Sequence, residues 1–373
     1  MPTPAPPIDP LPLLRLILAG GRRASRHELL RSGGTGDAGL QARIAGVPAS
    51  ALDRALAWLD GPGHHLVGSE DPRYPALLRQ APHPPLALFI DGDPDALWQP
   101  AVAVVGSRNA SAAGCENTRR FAGALCRGGL AITSGLAAGI DAAAHEAALA
   151  WPGGRTVAVL GTGVDVAYPR YHAALRERVA ASGAVVSEHP PGTPPRAGHF
   201  PGRNRIVAGL SLGVLVVEAA ARSGALITAR LAAEAGREVF AIPGSIHHPL
   251  SRGCHRLIRE GAQLVEDPAE VLAGIAPLAG RLALSYGAVD DPGAVVDPTP
   301  PGAARSLPAS PTDHDRLWDA LGADPTPMDI LAVRTGLTPA ALSAMLLAME
   351  LDGRVAVEHG RYARRSTGGG EAA

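Results

Sequence analysis

Residues 199–230 read HFPGRNRIVAGLSLGVLVVEAAARSGALITAR and are the most informative part of the chain. The segment begins with the basic cluster Arg203-Asn204-Arg205 and continues through a helix-length stretch to the apolar run Val214–Val217. The small-residue turn Arg222-Ser223-Gly224 follows, and the apolar spacing after it is again helical. A buried strand that leads through such a turn into a helix presents backbone N–H groups to an anion. The segment therefore predicts an α/β unit with a phosphate-bearing ligand, and it places the arginines just before that unit.

Strands and helices alternate regularly between residues 101 and 275. Apolar runs predict buried strands at 101–105, 131–133, 156–160, 184–187, 214–217, 239–242 and 263–265, with helical patterns between them. Buried strands joined by helices are typical of a parallel sheet covered on both faces. We therefore predict a doubly wound α/β domain over 69–275, which also contains a strand candidate at 86–90. Ligands of such sheets bind at the carboxyl ends of the strands, near a switch in strand order.

Smaller regions flank this domain. Residues 1–68 carry short helical patterns and predict a SAM-like or helix-hairpin-helix-like domain, which would touch a DNA backbone or serve for packing and dimerisation. Residues 276–311 are rich in Gly, Pro, Asp and Ser and predict a linker. Three helical patterns and a β-leaning segment over 312–365 predict a winged helix, with Thr338 capping the second helix of its motif. Such modules bind DNA or protein. We expect a disordered tail at 366–373.

Composition narrows the class of protein. The 373 residues are 46% hydrophobic, which is ample for a large core. The net charge of −1 does not indicate a nucleic-acid binder, although a global balance says nothing about local patches. Cys115, Cys126 and Cys254 are widely separated, which favours reduced thiols over a zinc site. The N-terminus does not resemble a signal peptide and no apolar run is long enough to span a bilayer, so we expect a cytoplasmic protein with no membrane partner.

Small-residue turns follow the predicted strands and are candidate anion sites. In Gly106-Ser107-Arg108 the glycine lets the backbone approach a ligand, while the hydroxyl and the guanidinium can bind a phosphate. Ser134-Gly135 opens a second turn that lets a helix N-terminus face an anion. Gly161-Thr162-Gly163 begins like a dinucleotide fingerprint but has Val166 at the third glycine position. These turns therefore predict phosphate contacts without a dinucleotide site.

Arginines accompany these turns and suggest an extended ligand. With Ser223-Gly224, four such turns lie at neighbouring strand ends, near Arg108, Arg170, Arg203 and Arg205. A row of separated phosphate sites exceeds what one mononucleotide requires and matches an extended polyanion. Single-stranded nucleic acid is the natural candidate, because the turns could also accept unpaired bases. Aromatic residues make up only 3% of the chain, so at most one or two bases can stack.

No credible catalytic constellation appears in the sequence. None of the serines in the turns has the G-x-S-x-G elbow of a hydrolase. Glu218 follows a strand and would be either a general base or, as we prefer, a buried carboxylate that organises the neighbouring turn. Asp141 and His145 are four residues apart on one predicted helix, where a cap and a side-chain contact are better explanations than a metal pair. We expect no enzymatic activity, no metal and no cofactor.

The motifs resemble the bacterial DNA-processing protein A family, also called Smf. The segments that carry the resemblance are DPRYPALL at 71–78, GSRNAS at 106–111, SGLAAGIDAAAH at 134–145, AVLGTGVDVAYP at 158–169, HFPGRNRIVAGLS at 199–211, VVEAAARSGALITARLAAEAGREVFAIPGS at 216–245 and SRGCHRLIREGAQLV at 251–265. The resemblance implies an extended Rossmann-like domain that binds single-stranded DNA without known enzymatic activity. It also implies a homodimer that protects incoming DNA during natural transformation and loads the RecA recombinase.

The resemblance assigns roles to individual residues. Arg108 would be the phosphate clamp of the first turn, and Arg203 to Arg205 form the RNR motif. Arg170 stands where the family often has lysine, and Gly202 stands where a polar or charged residue is usual. The full set of DNA-binding residues that we predict is Gly106, Ser107, Arg108, Ser134, Gly135, Gly161, Gly163, Arg170, Phe200, Arg203, Asn204, Arg205, Ser223 and Gly224.

Two alternatives to single-stranded DNA binding stay open at this point. Glu218 beside a phosphate-type turn would fit a nucleotide phosphoribohydrolase of the related lysine-decarboxylase-like Rossmann group, although the PGGxGTxxE pattern expected there is absent. The winged helix would fit a regulator that binds duplex DNA and uses the sheet as a sensor domain.

Overall fold

The computed structural model describes residues 9–32 and 37–287 and, in the C-terminal region, residues 317–318, 320–321, 326–337, 342, 345–346, 349, 355–358 and 361–364. The chain forms two compact units, Met1–Pro292 and Gly293–Ala373. Three predictions fall outside the described residues: the linker beyond residue 287, the cap at Thr338 and the tail at 366–373. Within the described residues, no helix is both long and apolar enough to cross a membrane.

The first unit is built on a nine-stranded sheet. In chain order its strands are β1 (His64–Gly68), β2 (Ala87–Gly92), β3 (Ala101–Val105), β4 (Ala131–Ser134), β5 (Thr156–Val159), β6 (Ala184–Ser187), β7 (Gly213–Val216), β8 (Glu238–Ala241) and β9 (Gln263–Leu264). Their order in space is β1-β2-β6-β5-β4-β3-β7-β8-β9. Strands β3 to β9 pair in parallel, while β2 pairs antiparallel with both β1 and β6. The predicted doubly wound, Rossmann-like fold is confirmed, with an antiparallel pair added at one edge.

Helices precede the sheet and cover it. The four that precede it are α1 (Leu11–Ala19), α2 (Arg23–Ser32), α3 (Ala38–Ala45) and α4 (Ala49–Leu59). The others are α5 (Ala76–Gln80), α6 (Ala112–Arg127), α7 (Ile140–Ala150), α8 (Ala173–Ser182), α9 (His199–Gly209), α10 (Ala225–Glu234), α11 (Arg252–Arg259) and α12 (Pro268–Gly287). Short 3-10 turns lie at Pro94–Trp98, Arg170–His172 and Pro249–Ser251.

The central strands are apolar on both faces because both faces are covered. Val102 and Val104 of β3 pack with Phe121 of α6 in one core cluster. Val105 of the same strand packs with Ile206 of α9 in the other cluster. Successive side chains of a strand point to opposite faces, so a strand covered by helices on both sides reads as a continuous apolar run. This is why the runs between residues 101 and 275 are recognisable as strands.

Strand β1 extends the sheet into the region predicted to be a separate helical domain, residues 1–68. All five residues of His64–Gly68 pair with β2, in a register that joins His64 to Asp91 and Gly68 to Ala87. Only the last two residues of the strand are buried. An edge strand with two histidines and partial exposure lacks the continuous apolar run that marks the central strands. The sheet therefore begins at His64, before the predicted start of the α/β domain at residue 69.

Helix α12 continues through the beginning of the predicted linker, 276–311, and ends at Gly287. It contains Pro277, a residue that usually ends or kinks a helix. Ile275 is buried against the sheet, and Leu278 and Leu282 pack on the same core cluster. The packing of these apolar side chains on the core stabilises the helix despite the proline. This tertiary contact is not visible in the local sequence.

Helix α9 begins at His199, so the RNR motif lies inside this helix. The sequence pattern had instead suggested a position before the helix. A Phe-Pro-Gly sequence such as Phe200-Pro201-Gly202 is typical of an irregular segment. A proline in the first turn of a helix is tolerated because the N–H groups there have no partner inside the helix. The position of the arginines on a helix determines which way each one points.

The second unit contains a three-stranded antiparallel sheet. Its strands are β10 (Thr326–Pro327), β11 (Val355–Glu358) and β12 (Arg361–Arg364), with β12 in the centre. A helix spans Met328–Thr335. The buried residues Leu317, Leu331 and Leu346 belong to one separate core cluster. The arrangement agrees with the predicted winged helix.

Candidate nucleic-acid interface

A cleft opens at the carboxyl edge of the sheet, between β3 and β7. From β3 the chain proceeds to β4, β5 and β6 on one side, whereas β7, β8 and β9 lie on the other side. This is the topological switch point, where the loops diverge and leave a crevice for a ligand. The cleft has a volume of about 730 Å³ and is lined by the loops that follow both strands.

The structure brings most of the predicted binding residues together in this cleft. Those that line it are Gly106, Ser107, Arg108, Gly135, Phe200, Arg203, Asn204, Ser223 and Gly224. The predicted residues outside its lining are Ser134, Gly161, Gly163, Arg170 and Arg205. The cleft is therefore formed by the turns after β3, β4 and β7 together with the start of α9.

Glu218 fixes the turn that carries Arg108. Its carboxylate accepts hydrogen bonds from the backbone N–H of Ser111 at 2.9 Å and from the Ser111 hydroxyl at 2.5 Å. The Ser111 oxygen in turn accepts from the Gly114 N–H at 2.9 Å and caps α6. Glu218 is 9% exposed. Both carboxylate oxygens thus serve the start of α6, which agrees with an organising role.

The second turn packs directly beneath the first. Gly139 has φ +77°, a conformation that favours glycine, and a Cβ there would collide with the carbonyl oxygens of Ser107 and Arg108. The Ile140 N–H donates to the Ser107 carbonyl at 3.1 Å. The close approach of the two turns holds the backbone of Arg108 in place.

Arg203 is a buried cation that joins the ends of β4 and β5. It is 5% exposed, and its Nη1 donates to the Gly135 carbonyl at 2.8 Å and to the Val159 carbonyl. Burial lowers the pKa of Arg203 to about 10, and the negative charge of Asp141 opposes this shift. Burial also raises the pKa of Asp141, whose carboxylate accepts from the Gly135 N–H at 3.1 Å. Arg203 therefore supports the floor of the cleft and adds positive potential there.

Arg205 points away from the cleft. Its Nη1 and Nη2 donate to the two carboxylate oxygens of Glu188 at 3.0 and 2.7 Å, and Nη1 also donates to the Gly202 carbonyl at 3.1 Å. Arg205 is 8% exposed. The structure places this arginine of the RNR motif in a largely buried ion pair with the residue that follows β6.

The other predicted residues outside the lining support the loops. The Ser134 hydroxyl is fully buried and donates to the Val104 carbonyl at 2.6 Å. A Cβ on Gly161 would lie 3.0 Å from the Phe200 ring, so this glycine gives the ring its space. A Cβ on Gly163 would likewise lie too close to the Pro190 carbonyl oxygen. Arg170 is exposed and does not line the cleft.

A cation and two aromatic rings form the accessible wall of the cleft. The Arg108 guanidinium carbon lies 5.6 Å from the centre of the Phe200 ring. The Tyr168 ring lies 5.2 Å from Phe200 at an interplanar angle of 38°, and Tyr168 is 42% exposed. Tyr168 and the exposed Arg222 also line the cleft, although the predicted set omits them. The sequence signals were present, since Tyr168 precedes Arg170 by two residues and Arg222 belongs to the Ser223 turn.

The charged residues of the lining are Arg108, Arg203, Arg222 and Asp141. Three of them are cationic, so the cleft is locally positive although the chain has a net charge of −1. A concave site lined by one sign of charge concentrates ligands of the opposite sign. Within the described residues, no group of three His, Cys, Asp or Glu side chains is placed to hold a metal ion.

Residues 65–276 match the family model described as DNA recombination-mediator protein A. The chain belongs to this family. Residues 301–361 also match the DprA winged helix domain, which confirms the class of the second unit. The resemblance drawn from the sequence motifs is therefore confirmed.

Individual relatives agree with membership of the DNA recombination-mediator protein A family. Protein Smf of Escherichia coli strain K12 is 42% identical over 323 residues, which cover 86% of this chain and 83% of the relative. DNA processing protein DprA of Streptococcus pneumoniae strain R6 is 51% identical over 203 residues, 54% of this chain and 71% of the relative.

Two solved structures of family members are similar in fold. The X-ray structure of DNA processing protein A from Streptococcus pneumoniae has a TM-score of 0.65 and 40% identity, covering 71% of this chain and 98% of that chain. The protein from Helicobacter pylori has a TM-score of 0.50 and 29% identity, covering 56% of this chain and 94% of that chain. That structure is described for the single-stranded DNA-binding mode of the Helicobacter protein.

Proposed function

We propose that this protein acts in DNA processing by binding single-stranded DNA along the carboxyl edge of its sheet. The observation that carries the proposal is the wall formed by Arg108, Phe200 and Tyr168 at the switch-point cleft. A cation beside one exposed and one half-buried aromatic ring offers both a phosphate contact and a stacking surface for unpaired bases. The single-stranded DNA-binding mode described for the Helicobacter pylori relative supports the choice of ligand.

Phosphates would be held on both sides of the switch point. On one side, Arg108 projects from the turn after β3. On the other side, α10 begins after Gly224 and has no acidic residue in its first turn. The positive end of the helix dipole at such a helix start attracts anions. Arg222 lies beside this helix start in the lining of the cleft.

The geometry favours binding over catalysis. A phosphoribohydrolase would need a carboxylate free to take or give a proton at the substrate. Glu218, the candidate for that role, accepts two hydrogen bonds from Ser111 and lies against Gly114. We therefore propose a binding protein and not an enzyme.

The family resemblance extends the proposal to partners. We propose that the protein forms a homodimer in the cytoplasm, protects incoming DNA in natural transformation and loads RecA. One edge of the sheet suits an intermolecular contact, because β9 is the outermost strand and its Leu264 is 43% exposed. Light scattering on the purified protein tests the homodimer, and strand exchange with RecA on coated DNA tests the loading.

Fluorescence anisotropy with labelled oligonucleotides tests the DNA site. We expect single strands to bind more tightly than duplexes. Replacing Arg108 by alanine should weaken binding and reduce the salt slope of the logarithm of the binding constant by about 0.7 for each phosphate that is no longer neutralised. Phe200→Ala should cost about 1–3 kcal/mol of binding free energy because a base can no longer stack there, with little change in the slope.

The matched control is Arg119→Ala, because Arg119 is exposed on α6, pairs with Glu116 and lies outside the cleft lining. We expect this variant to bind like the wild type. If Arg108→Ala and Arg119→Ala bind alike, the site is not at the switch point. If only duplex DNA binds, the regulator hypothesis replaces this one.

A further inference from the structure

A second cationic cluster lies where the N-terminal helices meet the sheet. Arg23 and Arg26 of α2 approach Glu188, the carboxylate that follows β6 and that Arg205 of α9 already binds through two hydrogen bonds. Arg23 makes a longer contact of 3.4 Å with the same carboxylate. The guanidinium groups of Arg23 and Arg205 thus contact one carboxylate, and Arg26 lies near it, which leaves the cluster with an excess of positive charge.

The cluster has donors that the protein does not use. The Nε atoms of Arg26 and Arg205 are buried and have no hydrogen-bond partner among the described residues. Burial lowers the pKa of Arg23 and of Arg26, and repulsion from Arg205 lowers the pKa of Arg23 further. Buried donors and mutually repelling cations are both stabilised by an anion.

The start of α2 adds to this attraction. The helix begins at Arg23, has no acidic residue in its first turn and is preceded by the exposed Arg22. The N–H groups of a first helical turn lack partners inside the helix, and the helix dipole favours negative charge there. The unused donors of Arg26 and Arg205 and this helix start all favour a negatively charged ligand.

The cluster lies along the edge that carries the proposed DNA site. From β3, where Arg108 is located, the sheet continues through β4 and β5 to β6, which Glu188 follows. Three steps at the usual strand spacing amount to about 14 Å, a short distance for an extended strand of DNA. Gly161 and Gly163 follow β5, between the two sites. His27 anchors α2 beside this edge through a contact of 3.2 Å with the Pro84 carbonyl.

We propose that Arg22, Arg23 and Arg26 bind backbone phosphates of the same DNA strand that occupies the cleft. The N-terminal helices then lengthen the binding site beyond the sheet. The DNA strand passes over the turn at Gly161–Gly163 between the two sites. The proposal rests on the proposed function, because the strand must first bind at the switch point. A free anion such as inorganic phosphate has the same chemistry, but its binding would not depend on the length of an oligonucleotide.

The test compares two oligonucleotide lengths on the full chain. Of the three arginines in the proposed site, Arg23 pairs with Glu188, whereas Arg22 and Arg26 make no ion pair within 4.0 Å among the described residues. The double variant Arg22→Ala/Arg26→Ala removes these two cations. The control is Arg31→Ala, on the same helix, where Arg31 is exposed and pairs with Glu28. Anisotropy is measured with single strands of about 5 and about 20 nucleotides, chosen to cover one site or both.

With the longer strand, the double variant should bind more weakly than the wild type, with a salt slope smaller by about 1.4 because two cations no longer neutralise phosphates. Its affinity deficit should then shrink about sevenfold between about 50 and about 200 mM salt. With the shorter strand, the double variant should match the wild type. Because Arg22 is exposed, Arg22→Glu should weaken binding of the longer strand at an unchanged melting temperature, which separates DNA contact from a folding defect.

Equal binding of the longer strand by wild type, double variant and Arg22→Glu overturns the inference and leaves the cluster as a contact between domains. Equal weakening with both lengths also overturns it, because the arginines would then act within the cleft. If the wild type binds neither strand, the proposed function itself has failed. If Arg108→Ala abolishes binding and Arg22→Ala/Arg26→Ala binds like the wild type, only the proposed extension of the site is refuted.

Discussion

Two arginines that line the same cleft should respond differently to removal. Arg203 is 5% exposed and donates to the carbonyls of Gly135 and Val159. Arg108 is exposed and lies over the Phe200 ring. We predict that Arg203→Ala lowers the free energy of unfolding, whereas Arg108→Ala leaves it unchanged and affects DNA binding alone.

The magnitude follows from the two hydrogen bonds that the substitution of Arg203 removes. A hydrogen bond from a charged donor contributes about 1.5–3 kcal/mol, so two such bonds correspond to about 3–6 kcal/mol. Removing the side chain opens space to the cleft, and water that enters can donate to the two carbonyls in its place. We therefore expect the lower end of the range, a decrease of about 3 kcal/mol in the free energy of unfolding.

Urea denaturation of the full chain measures this decrease, with Arg108→Ala as the matched control. A double-mutant cycle with Asp141→Asn adds a second readout. Because Asp141 is buried and the charge of Arg203 stabilises its ionised form, we expect the double variant to be destabilised by less than the sum of the two single effects. An unchanged urea midpoint in Arg203→Ala, together with abolished DNA binding, would refute this reasoning and make Arg203 a ligand contact.

Two further substitutions test the packing around the site. Gly135→Ala should lower the melting temperature, because its Cβ would collide with the Arg203 guanidinium; Gly202→Ala, whose Cβ meets nothing within 4 Å, should not. His145 is fully buried and burial lowers its pKa to about 3, so the stability that its neutral form contributes is lost as pH falls from about 6.5 towards 3. Between pH 7.5 and 5, wild type should lose about 2 kcal/mol more unfolding free energy than His145→Gln, and equal losses in urea titrations would contradict this.

The sequence predicted the central sheet well because burial on both faces leaves a clear pattern. The predicted bounds of β3 and β6 agree with the structure residue for residue. Elements whose position depends on distant contacts were predicted less well. β1 is held by its pairing with β2, and the second half of α12 is held by Leu278 and Leu282 on the core. Neither contact is visible in the local sequence.

In the candidate site, too, local features were predicted better than those that depend on distant contacts. Turn chemistry is local, so the sequence located the turns at Gly106, Gly135 and Ser223 that line the cleft. The burial of a charged side chain depends on partners elsewhere in the chain. Glu188, which receives Arg205, is 17 residues away, and no pattern in the sequence connects the two.

The RNR motif shows why composition alone could not assign the arginines. Residues two apart on an α-helix point in directions that differ by about 160°. Arg203 and Arg205 therefore face opposite ways from α9, the first towards the ends of β4 and β5 and the second towards Glu188. Had the motif been an irregular segment before the strand, both could have reached one phosphate. Because it is helical, α9 links the cleft on one side with the cationic cluster on the other, which is the geometry that a binding site extending past β6 requires.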